Sequence, residues 1–275
     1  MTAPSELPGP ALLFCPADRP DRYGKALAAA DGVILDLEDG VGADGKDAAR
    51  AALAATDLDP ARITVRVNAP GTAEHAADLA ALRGTGYRTI MLPKAESRAQ
   101  LDALGGEWRV VALCETPLGI LRAAEIAAAP DVIALMWGAE DLIAALGGRT
   151  SRRSDGRYRD VSRHARSTVL LAAAAYGKAA VDSVWVDIPD LDGLAAESQD
   201  AAASGFSVKA CIHPSQAAVV RQAFQADPVQ VAWARRVLQA AAAAGAGGPG
   251  AIKVDGQMID APLIRQAQAI VASVR

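Results

Sequence analysis

Seven ionisable side chains in this 275-residue chain follow directly on short apolar runs, and their types suit metal-assisted chemistry on an anionic substrate. Carboxylates bind hard divalent cations through oxygen, and an arginine offers a planar fork to a carboxylate or to an oxygen that gains negative charge. A lysine or a histidine in the same place adds a nucleophile or a base. The seven are Asp36, Glu38, Arg66, Lys94, Glu115, Asp141 and His213.

The apolar runs before these side chains predict the elements that position them. Runs of four to six apolar residues without internal alternation are typical of strands buried on both faces of a parallel sheet. Eight such strands with Ala-rich helical segments between them predict an α/β fold, the (β/α)8 TIM barrel, whose catalytic groups lie at the C-terminal ends of the strands. The predicted strands are Leu12–Cys15, Val33–Asp39, Ile63–Asn68, Thr89–Lys94, Val110–Glu115, Val132–Asp141, Val184–Asp187 and Val208–His213.

Length, charge and cysteine content bound the class of protein. A chain of 275 residues suits one barrel, since such barrels run to about 250 residues. The net charge of -4 gives no basic excess for binding nucleic acid or an anionic membrane. The three cysteines lie in or beside apolar runs, which favours buried thiols in a reducing compartment over disulfides. Because no signal-like N-terminus and no apolar run of about 18 residues is present, we expect a cytoplasmic protein.

The helical segments predict a barrel over residues 1–225 and a C-terminal helical and hairpin extension over residues 226–275, acting as a lid or as an element exchanged between subunits. The extension contains a Gly/Pro/Ala linker over residues 245–250, a hairpin turn at Asp255-Gly256 and an amphipathic helix from Pro262. The other predicted helices are Arg19–Ala30, Lys46–Leu53, Ala73–Arg83, Ser97–Leu104, Leu118–Ala128, Ser162–Tyr176, Pro214–Phe224 and Pro228–Ala244.

Four carboxylates against one guanidinium would give one barrel mouth an excess of three negative charges, which indicates a bound divalent cation. The three histidines are widely spaced and the cysteines are expected to be buried, so the ligands are oxygens, which favours Mg2+ or Mn2+ over Zn2+. Mg2+ takes one or two carboxylates, and Glu115 and Asp141 would suffice. Asp36 and Glu38 share one face of their strand, where either could hold metal-bound water.

Each of these side chains also has a structural interpretation. A carboxylate at the end of a strand, such as Glu115 or Asp141, often caps a helix or faces solvent. Arg66 in an apolar strand must meet a carboxylate of the protein or of a ligand, because an unpaired buried guanidinium is unfavourable. Lys94 could form a Schiff base or could pair with a neighbouring carboxylate, and the second role is favoured. His213 fits a hydrogen-bonded loop better than a catalytic base.

Two groups of basic residues could gather a phosphate-bearing ligand. Arg19, Arg22 and Lys25 follow the first strand on a loop at the barrel mouth, and they are the stronger candidates. The second group lies in and beyond the polar segment after the sixth strand, where a solvated or inter-subunit surface is the favoured alternative. It comprises Arg149, Arg152, Arg153, Arg157, Arg159, Arg163 and Arg166.

An ordered series of motifs covers nearly the whole chain. The motifs are FCPADRPDR, VILDLEDGV followed by Lys46 and Arg50, VRVN, MLPKAES, ALCETPLGI, MWGAEDL, HARS, GFSVKACIHPSQ and GQMIDAP. Together they strongly resemble the HpcH/HpaI aldolase superfamily and, within it, the citrate lyase β-subunit-like proteins. The resemblance implies a Mg2+-dependent (β/α)8 enzyme that makes or breaks a carbon-carbon bond between an acyl thioester and a 2-oxo or related acid.

The resemblance also implies roles for particular residues. Glu115 and Asp141 would be the metal ligands, and Glu115 would also contact substrate. Arg66 would bind substrate and act in catalysis, and the backbone of residues 138–140, Gly138-Ala139-Glu140, would bind the substrate carboxylate. Asp260, in the GQMID motif, corresponds to an aspartate that reaches a neighbouring subunit's site in related enzymes.

The expected reaction is cleavage of a 3-hydroxyacyl-CoA type thioester to an acyl-CoA and a small oxo acid such as oxaloacetate, pyruvate or glyoxylate, or the reverse condensation. Two alternatives are a malate- or citramalate-synthase-like condensation with thioester hydrolysis and a citrate lyase β subunit that needs partner chains. Arg19, Arg22 and Lys25 would contact CoA phosphates, and the tail predicts a homo-oligomer, in particular a trimer. Cys114 and Pro117 depart from the residues usual around Glu115, so the substrate range does not carry over.

Overall fold

A computed structural model describes residues 7–245 and 251–274, and its central feature is a closed barrel of parallel strands. The first strand pairs with both the second and the eighth, which closes the sheet without an edge. The predicted (β/α)8 barrel is therefore confirmed. The strands are β1 (Ala11–Pro16), β2 (Gly32–Asp36), β3 (Ile63–Arg66), β4 (Thr89–Leu92), β5 (Arg109–Cys114), β6 (Val132–Trp137), β7 (Ala179–Asp182) and β8 (Val208–Cys211).

Helices connect the strands on the outside of the barrel. Side-chain caps begin several of them, as where Thr72 accepts a hydrogen bond from the His75 amide at 3.1 Å. The predicted helix over residues 118–128 is two short helices, because the backbone leaves the helical conformation at Arg122. The helices are α1 (Pro20–Ala29), α2 (Lys46–Ala54), α3 (Ala73–Arg83), α4 (Arg98–Asp102), α5 (Pro117–Leu121), α6 (Ala123–Ala127), α7 (Ala139–Ala145), α8 (Asp160–Ala175), α9 (Leu191–Ser204) and α10 (Pro214–Ala223).

Along the strands, the side chains on the inner face change from apolar in the barrel core to polar at the barrel mouth. Ile34, Leu113 and Met136 pack in one buried cluster inside the barrel. Because side chains alternate across a strand, the residue two positions later lies on the same face. Asp36 follows Ile34 and Glu115 follows Leu113 in this way, so both carboxylates lie directly above an apolar core that excludes water from below.

The seventh strand differs from the prediction. The sequence placed it at Val184–Asp187, whereas the structure places β7 at Ala179–Asp182. Ala179 and Ala180 have small side chains and do not form a run of large aliphatic residues. The strand pattern was therefore not visible at these positions. Val184 is apolar because it packs against the barrel core from the connection after the strand.

The sixth predicted strand was too long. β6 ends at Trp137, Gly138 caps the next helix, and α7 begins at Ala139. Asp141 therefore lies in the first turn of a helix and not at the end of a strand. The peptide N–H groups of a first helical turn favour negative charge nearby, which suits an acidic residue at this position.

The chain forms two compact units, one ending at Arg221 and one beginning at Gln222, within α10. The sequence placed this boundary after residue 225, and the role of the second unit as a lid or exchanged element stays a prediction. The second unit contains α11 (Pro228–Ala244), β9 (Ala251–Val254), β10 (Gln257–Asp260) and α12 (Ala261–Ser273).

The second unit has its own small core and the predicted hairpin. Strands β9 and β10 pair antiparallel around Asp255 and Gly256, whose φ angles of 50° and 83° suit a tight hairpin turn. Ala234, Ile259 and Ala267 pack within the core of the unit. Most of the predicted linker, residues 246–250, lies outside the described residues. No helix in the described part of the chain is long and apolar enough to cross a bilayer.

Candidate active site

Arg66 and Asp36 form a two-point ion pair at the C-terminal end of the barrel. They are register partners on β3 and β2, and Nε and Nη2 of Arg66 each donate to one oxygen of Asp36 at 2.7 Å. Asp36 also accepts the amide hydrogens of Glu38 at 2.9 Å and of Gly40 at 2.8 Å. Burial alone would lower the pKa of Arg66, but the hydrogen bonds and charges of Asp36 and Glu38 raise it. The guanidinium is thus permanently charged and fixed in orientation.

These contacts define what Asp36 does in the described structure. Its two oxygens accept four hydrogen bonds, which occupies their lone-pair positions. Gly40 is required at the turn, because a Cβ there would collide with Asp36. Asp36 therefore orients Arg66, and the expectation that it holds metal-bound water stays a prediction.

Glu38 links the guanidinium to a second cation. Its Oε1 accepts a hydrogen bond from Lys94 Nζ at 2.5 Å, and its Oε2 lies 3.0 Å from Arg66 Nη1. That Oε2 is buried and accepts no aligned hydrogen bond from the described residues, and the expectation that Glu38 holds metal-bound water stays a prediction. Burial raises the pKa of Glu38, and the charges of Arg66 and Lys94 only partly offset that effect. Lys94 therefore makes the carboxylate contact that was favoured over a Schiff base.

Glu115 is the most deeply buried carboxylate of this cluster, with 2% exposure. Its Oε1 accepts the backbone N–H of Lys94 at 3.0 Å, and a Cβ on residue Gly138 would lie 2.8 Å from its Oε2. Burial raises the pKa of Glu115 to about 8, and the charges of Asp141 and Glu38 add to the rise. A bound cation would therefore stabilise the ionised form of the Glu115 carboxylate.

The donor set of this site fits Mg2+. Glu115 and the half-buried Asp141 are two carboxylates whose charges interact across the mouth. No cluster of three or more His, Cys, Asp or Glu able to enclose a metal occurs among residues 7–245 and 251–274. Zn2+ and Ca2+ usually need such a cluster, whereas Mg2+ is commonly held by one or two carboxylates and completes its shell with water and substrate oxygens.

The start of α7 positions the segment beside Glu115 and Asp141. Gly138 caps this helix, and the amide of Ala139 donates to Ser183 Oγ at 3.3 Å. The exposed Glu140 accepts a hydrogen bond from Ser151 Oγ at 2.7 Å. The side chain of Glu140 therefore turns toward the following loop, and Gly138 is the residue of this segment whose backbone borders Glu115.

Other predicted site residues lie apart from this cluster. Arg19, Arg22 and Lys25 are exposed at the start of α1, where Arg19 pairs with Asp21 at 3.1 Å. His213 is exposed and its Nδ1 contacts Ser215 Oγ at 2.8 Å, as expected for a loop residue.

Asp260 belongs to the second unit. It caps α12, where its Oδ1 accepts a hydrogen bond from the Leu263 amide at 3.4 Å. Within its own unit, Asp260 therefore stabilises the start of α12.

The three cysteines are free and buried, as expected. Burial raises the pKa of Cys15 to about 11 and the pKa of Cys114 and of Cys211 to about 12. These thiols therefore stay protonated and unreactive near neutral pH.

A buried ion-pair network beside the site was missed from the sequence. Asp182, at the end of β7, accepts hydrogen bonds from Trp137 Nε1 at 2.8 Å, from Arg166 Nε at 2.9 Å and from Lys209 Nζ at 3.1 Å. Lys209 also bonds Glu197 Oε1 at 3.0 Å. Since Trp137 directly precedes Gly138, this network holds the segment that leads to Asp141. Lys209 within the apolar run VKACIH was the available signal.

Two arginines of the polar segment are part of this network, which corrects the expectation of a solvated surface for them. Arg166 pairs with Asp182, and Arg152 donates to Glu197 at 2.6 Å while stacking on the Tyr158 ring at 3.7 Å. The remaining arginines of the group are exposed. They are Arg149, Arg153, Arg157, Arg159 and Arg163.

We expect Asp182→Asn to destabilise the protein by about 3 kcal/mol or more, because the buried charge of Lys209 would keep Glu197 but lose the carboxylate of Asp182. Both side chains are fully buried, so solvent cannot compensate. Urea unfolding followed by circular dichroism measures the change. The double variant Asp182→Asn with Lys209→Met is the control and should recover part of the loss. Equal stability of the single variant and the wild type would contradict the structural role.

The closed barrel with ionisable side chains at the C-terminal ends of its strands is the architecture of a (β/α)8 enzyme. The chain belongs to the HpcH/HpaI aldolase/citrate lyase family, whose model matches residues 11–214. It is an enzyme of the carbon-carbon lyase class.

Curated relatives cover almost the whole chain. A citrate lyase subunit beta-like protein of Mycobacterium tuberculosis is 58% identical over 95% of this chain and 94% of its own length. The mitochondrial citramalyl-CoA lyase of Homo sapiens is 31% identical over 95% of this chain and 84% of its own. A (3S)-malyl-CoA thioesterase of Cereibacter sphaeroides is 35% identical over 90% and 88%.

Solved structures share the fold. CitE from Mycobacterium tuberculosis, in complex with magnesium, acetoacetate and coenzyme A, has a TM-score of 0.92 and 56% identity, with 98% of each chain covered. The citrate lyase beta subunit of the same organism, complexed with oxaloacetate and magnesium, has a TM-score of 0.79 and 60% identity over 81% of this chain and 100% of its own.

Proposed function

We propose that this protein is a Mg2+-dependent lyase that cleaves a 3-hydroxyacyl-CoA type thioester to an acyl-CoA and a small oxo acid, or forms it. The observation that carries the proposal is the strongly buried Glu115 beside Asp141, next to an Arg66 that Asp36 fixes in place. The relatives support it, since their names include a citramalyl-CoA lyase and their structures include magnesium, oxaloacetate and coenzyme A.

The residues of the chain divide the work of this reaction. Glu115 and Asp141 would hold Mg2+, which supplies a Lewis acid that chelates the oxo acid and polarises its carbonyl. Arg66 stabilises negative charge on the reacting oxygen, and the backbone of residues 138–140 binds the substrate carboxylate. During cleavage the hydroxyl loses its proton to solvent and its oxygen becomes the carbonyl oxygen of the oxo acid, while the carbon-carbon bond breaks and its electron pair forms the thioester enolate. Asp260 returns a proton to the α-carbon.

The CoA portion needs a separate contact surface. Arg19, Arg22 and Lys25 are exposed at the N-cap and on the first two turns of α1, which follows the barrel end that holds Arg66. Because these cations are solvated and can reorient, they suit the mobile phosphates of CoA.

Three alternatives share parts of this site. Hydrolysis of the thioester after condensation is favoured by the thioesterase relative and would release free thiol together with the hydroxy acid. A subunit that needs partner chains would be inactive alone on CoA thioesters. A Schiff-base aldolase would retain activity in EDTA and would be trapped on Lys94 by borohydride, although the Lys94–Glu38 ion pair disfavours it.

A mass-spectrometric screen of the purified chain tests the proposal. Malyl-, citramalyl-, citryl- and 3-hydroxy-3-methylglutaryl-CoA are offered separately with Mg2+, and products are compared with an EDTA control. We expect at least one thioester to give an acyl-CoA and an oxo acid only when Mg2+ is present. Free CoA with the intact hydroxy acid would identify the thioesterase, and cleavage that ignores EDTA would contradict the proposal.

We further propose that the protein is a homo-oligomer, in particular a trimer, in which Asp260 serves a neighbouring subunit's site. Each active site would then combine Glu115 of one chain with Asp260 of another. Asp260→Asn and Glu115→Gln variants, each inactive alone, should regain activity when they are co-assembled. Random mixing leaves about a quarter of the sites with both wild-type residues.

The two variants have the same mass, because each replaces one carboxyl group with an amide, so one of them is produced with an isotope label. Native mass spectrometry then confirms that the co-assembled oligomers contain both variants. A mixed oligomer as inactive as either parent would show that Asp260 acts within its own chain or not at all. Mixing two preparations of the same variant is the control and should give no recovery.

A further inference from the structure

Lys94 has an unusual backbone conformation beside the candidate metal ligands. Its φ of 50° makes it one of two non-glycine residues with positive φ in the described part of the chain. This conformation is unfavourable for a residue with a Cβ, and it persists where surrounding contacts hold it. Here the Lys94 amide donates to Glu115 at 3.0 Å, and the next amide, of Ala95, donates to the Leu113 carbonyl at 3.0 Å.

The side chain of Lys94 has a second role that is separate from its backbone. Its ammonium group lies 2.5 Å from Glu38 Oε1 and 4.0 Å from Glu115 Oε1. The Lys94 side chain is 37% exposed, whereas the Glu38 and Glu115 side chains are 7% and 2% exposed. A positive charge therefore sits between two buried carboxylates and retains contact with solvent.

That position conflicts with a bound divalent cation. A metal on Glu115 would lie close to the ammonium in a site that is largely shielded from water, where two like charges repel strongly. The ammonium cannot leave the site, because it belongs to the chain, but its exposed end can withdraw toward solvent. The repulsion that remains after such a withdrawal weakens binding of the metal.

We infer that Lys94 is an internal counter-cation of the metal site. Its ammonium offsets the charge of Glu38 and Glu115 in the metal-free protein, and it weakens Mg2+ binding so that the metal stays exchangeable. The inference rests on the proposed function, since it takes Glu115 as a metal ligand. It assigns the orientation of Glu115 to the backbone N–H of residue 94, which no side-chain substitution removes.

The counter-cation role and a supporting role predict opposite changes in Mg2+ affinity when the Lys94 side chain is removed. If the Lys94 side chain merely supported the site, its removal would loosen Glu38 and Glu115 and would weaken Mg2+ binding. If it is a counter-cation, its removal tightens Mg2+ binding, because a nearby repulsion disappears while the ligands stay in place.

Isothermal titration of the metal-free protein with MgCl2, at fixed pH and ionic strength, tests the sign. We expect Lys94→Met to lower the dissociation constant for Mg2+ by about tenfold. Lys94→Gly removes the same charge and adopts a positive φ without strain, so it gives a second measurement if Lys94→Met folds poorly. Lys94→Arg keeps the charge and should stay within about twofold of the wild type.

A second readout is the thermal shift. Tenfold tighter binding adds about 1.4 kcal/mol of stabilisation at a fixed, saturating Mg2+ concentration. The increase in melting temperature caused by Mg2+ should therefore be larger in Lys94→Met and Lys94→Gly than in the wild type. Arg83→Gln removes a cation from an exposed ion pair with Glu107 and is the control, with an unchanged increase.

The outcomes separate the inference from the proposed function. Unchanged or weaker Mg2+ binding in both Lys94→Met and Lys94→Gly overturns the counter-cation role, while the wild type still binds Mg2+ through Glu115. A wild-type protein whose Mg2+ binding is absent, or is unaffected by Glu115→Gln, overturns the metal assignment on which the proposed function and the inference both rest.

Discussion

Replacing Glu115 with glutamine should reduce turnover by about 10³-fold or more and should abolish measurable Mg2+ binding, while the fold stays intact. In the proposed function Glu115 is one of two carboxylate ligands of the metal, and an amide oxygen without charge is a much poorer ligand for it. Asp141→Asn should act in the same direction. Steady-state kinetics on the thioester that the screen identifies, together with Mg2+ titration calorimetry, measure both effects.

The same substitution should stabilise the metal-free protein. Burial raises the pKa of Glu115 to about 8, so the folded chain holds this proton more tightly than the unfolded chain does. Stability from Glu115 is therefore fully present below the ordinary pKa near 4.5 and is lost as pH rises toward 8. At pH 8 without metal, the melting temperature of Glu115→Gln should exceed that of the wild type by about 2–4 °C. The difference should shrink at pH 5.

Glu107→Gln is the matched control, because it removes an exposed carboxylate paired with Arg83. Its kinetics, Mg2+ affinity and pH dependence should equal those of the wild type. Wild-type activity that persists in excess EDTA would contradict the metal assignment, whatever the result for the Glu115 variant.

Replacing Arg66 with lysine should lower kcat/KM by about 10²-fold or more. The guanidinium donates to both oxygens of Asp36 and also places Nη1 3.0 Å from Glu38 Oε2, which a single ammonium cannot reproduce. Lysine keeps the charge but loses the planar fork, so the loss should appear mainly in kcat, where charge develops on the reacting oxygen. Mg2+ affinity should change much less than in Glu115→Gln.

Arg62→Lys is the control for Arg66→Lys. Arg62 lies before β3, at the opposite end of that strand, and its guanidinium donates to the carbonyls of Leu27, Ala30 and Asp31. Its replacement tests the loss of a half-buried arginine fork without touching the mouth. Wild-type kinetics in Arg66→Lys would assign Arg66 a structural role, and equal losses in the two variants would indicate a general effect on the fold.

The local pattern of the chain was enough to predict the barrel and the meeting of several ionisable side chains at its mouth. Strands buried on both faces need continuous apolar runs, and this requirement can be read from Val110 to Cys114 without knowledge of their neighbours. Since parallel strands of a barrel all end on one side, the side chains after the runs had to meet there. The grouping of Asp36, Arg66 and Glu115 follows from that geometry alone.

Tertiary contacts decided the rest. β7 was not predicted because Ala179, which is partly buried, and Ala180, which is buried, lack the large aliphatic side chains that marked the other strands. Asp182 and Lys209 pair although they lie far apart in sequence. The residues next to a buried lysine do not indicate which carboxylate it will bind.

The chemical character of the site was also set by the fold. The high pKa of Glu115 arises from exclusion of water by the surrounding core and from nearby charge, which are properties of the space around a residue. The contacts of Lys94 with Glu38 and Glu115 accompany a positive φ, which is held by hydrogen bonds to segments remote along the chain. The sequence by itself therefore determined which chemical groups meet at the barrel mouth, and the tertiary structure determined their charge states and partners, because both depend on burial and on distances between segments remote along the chain.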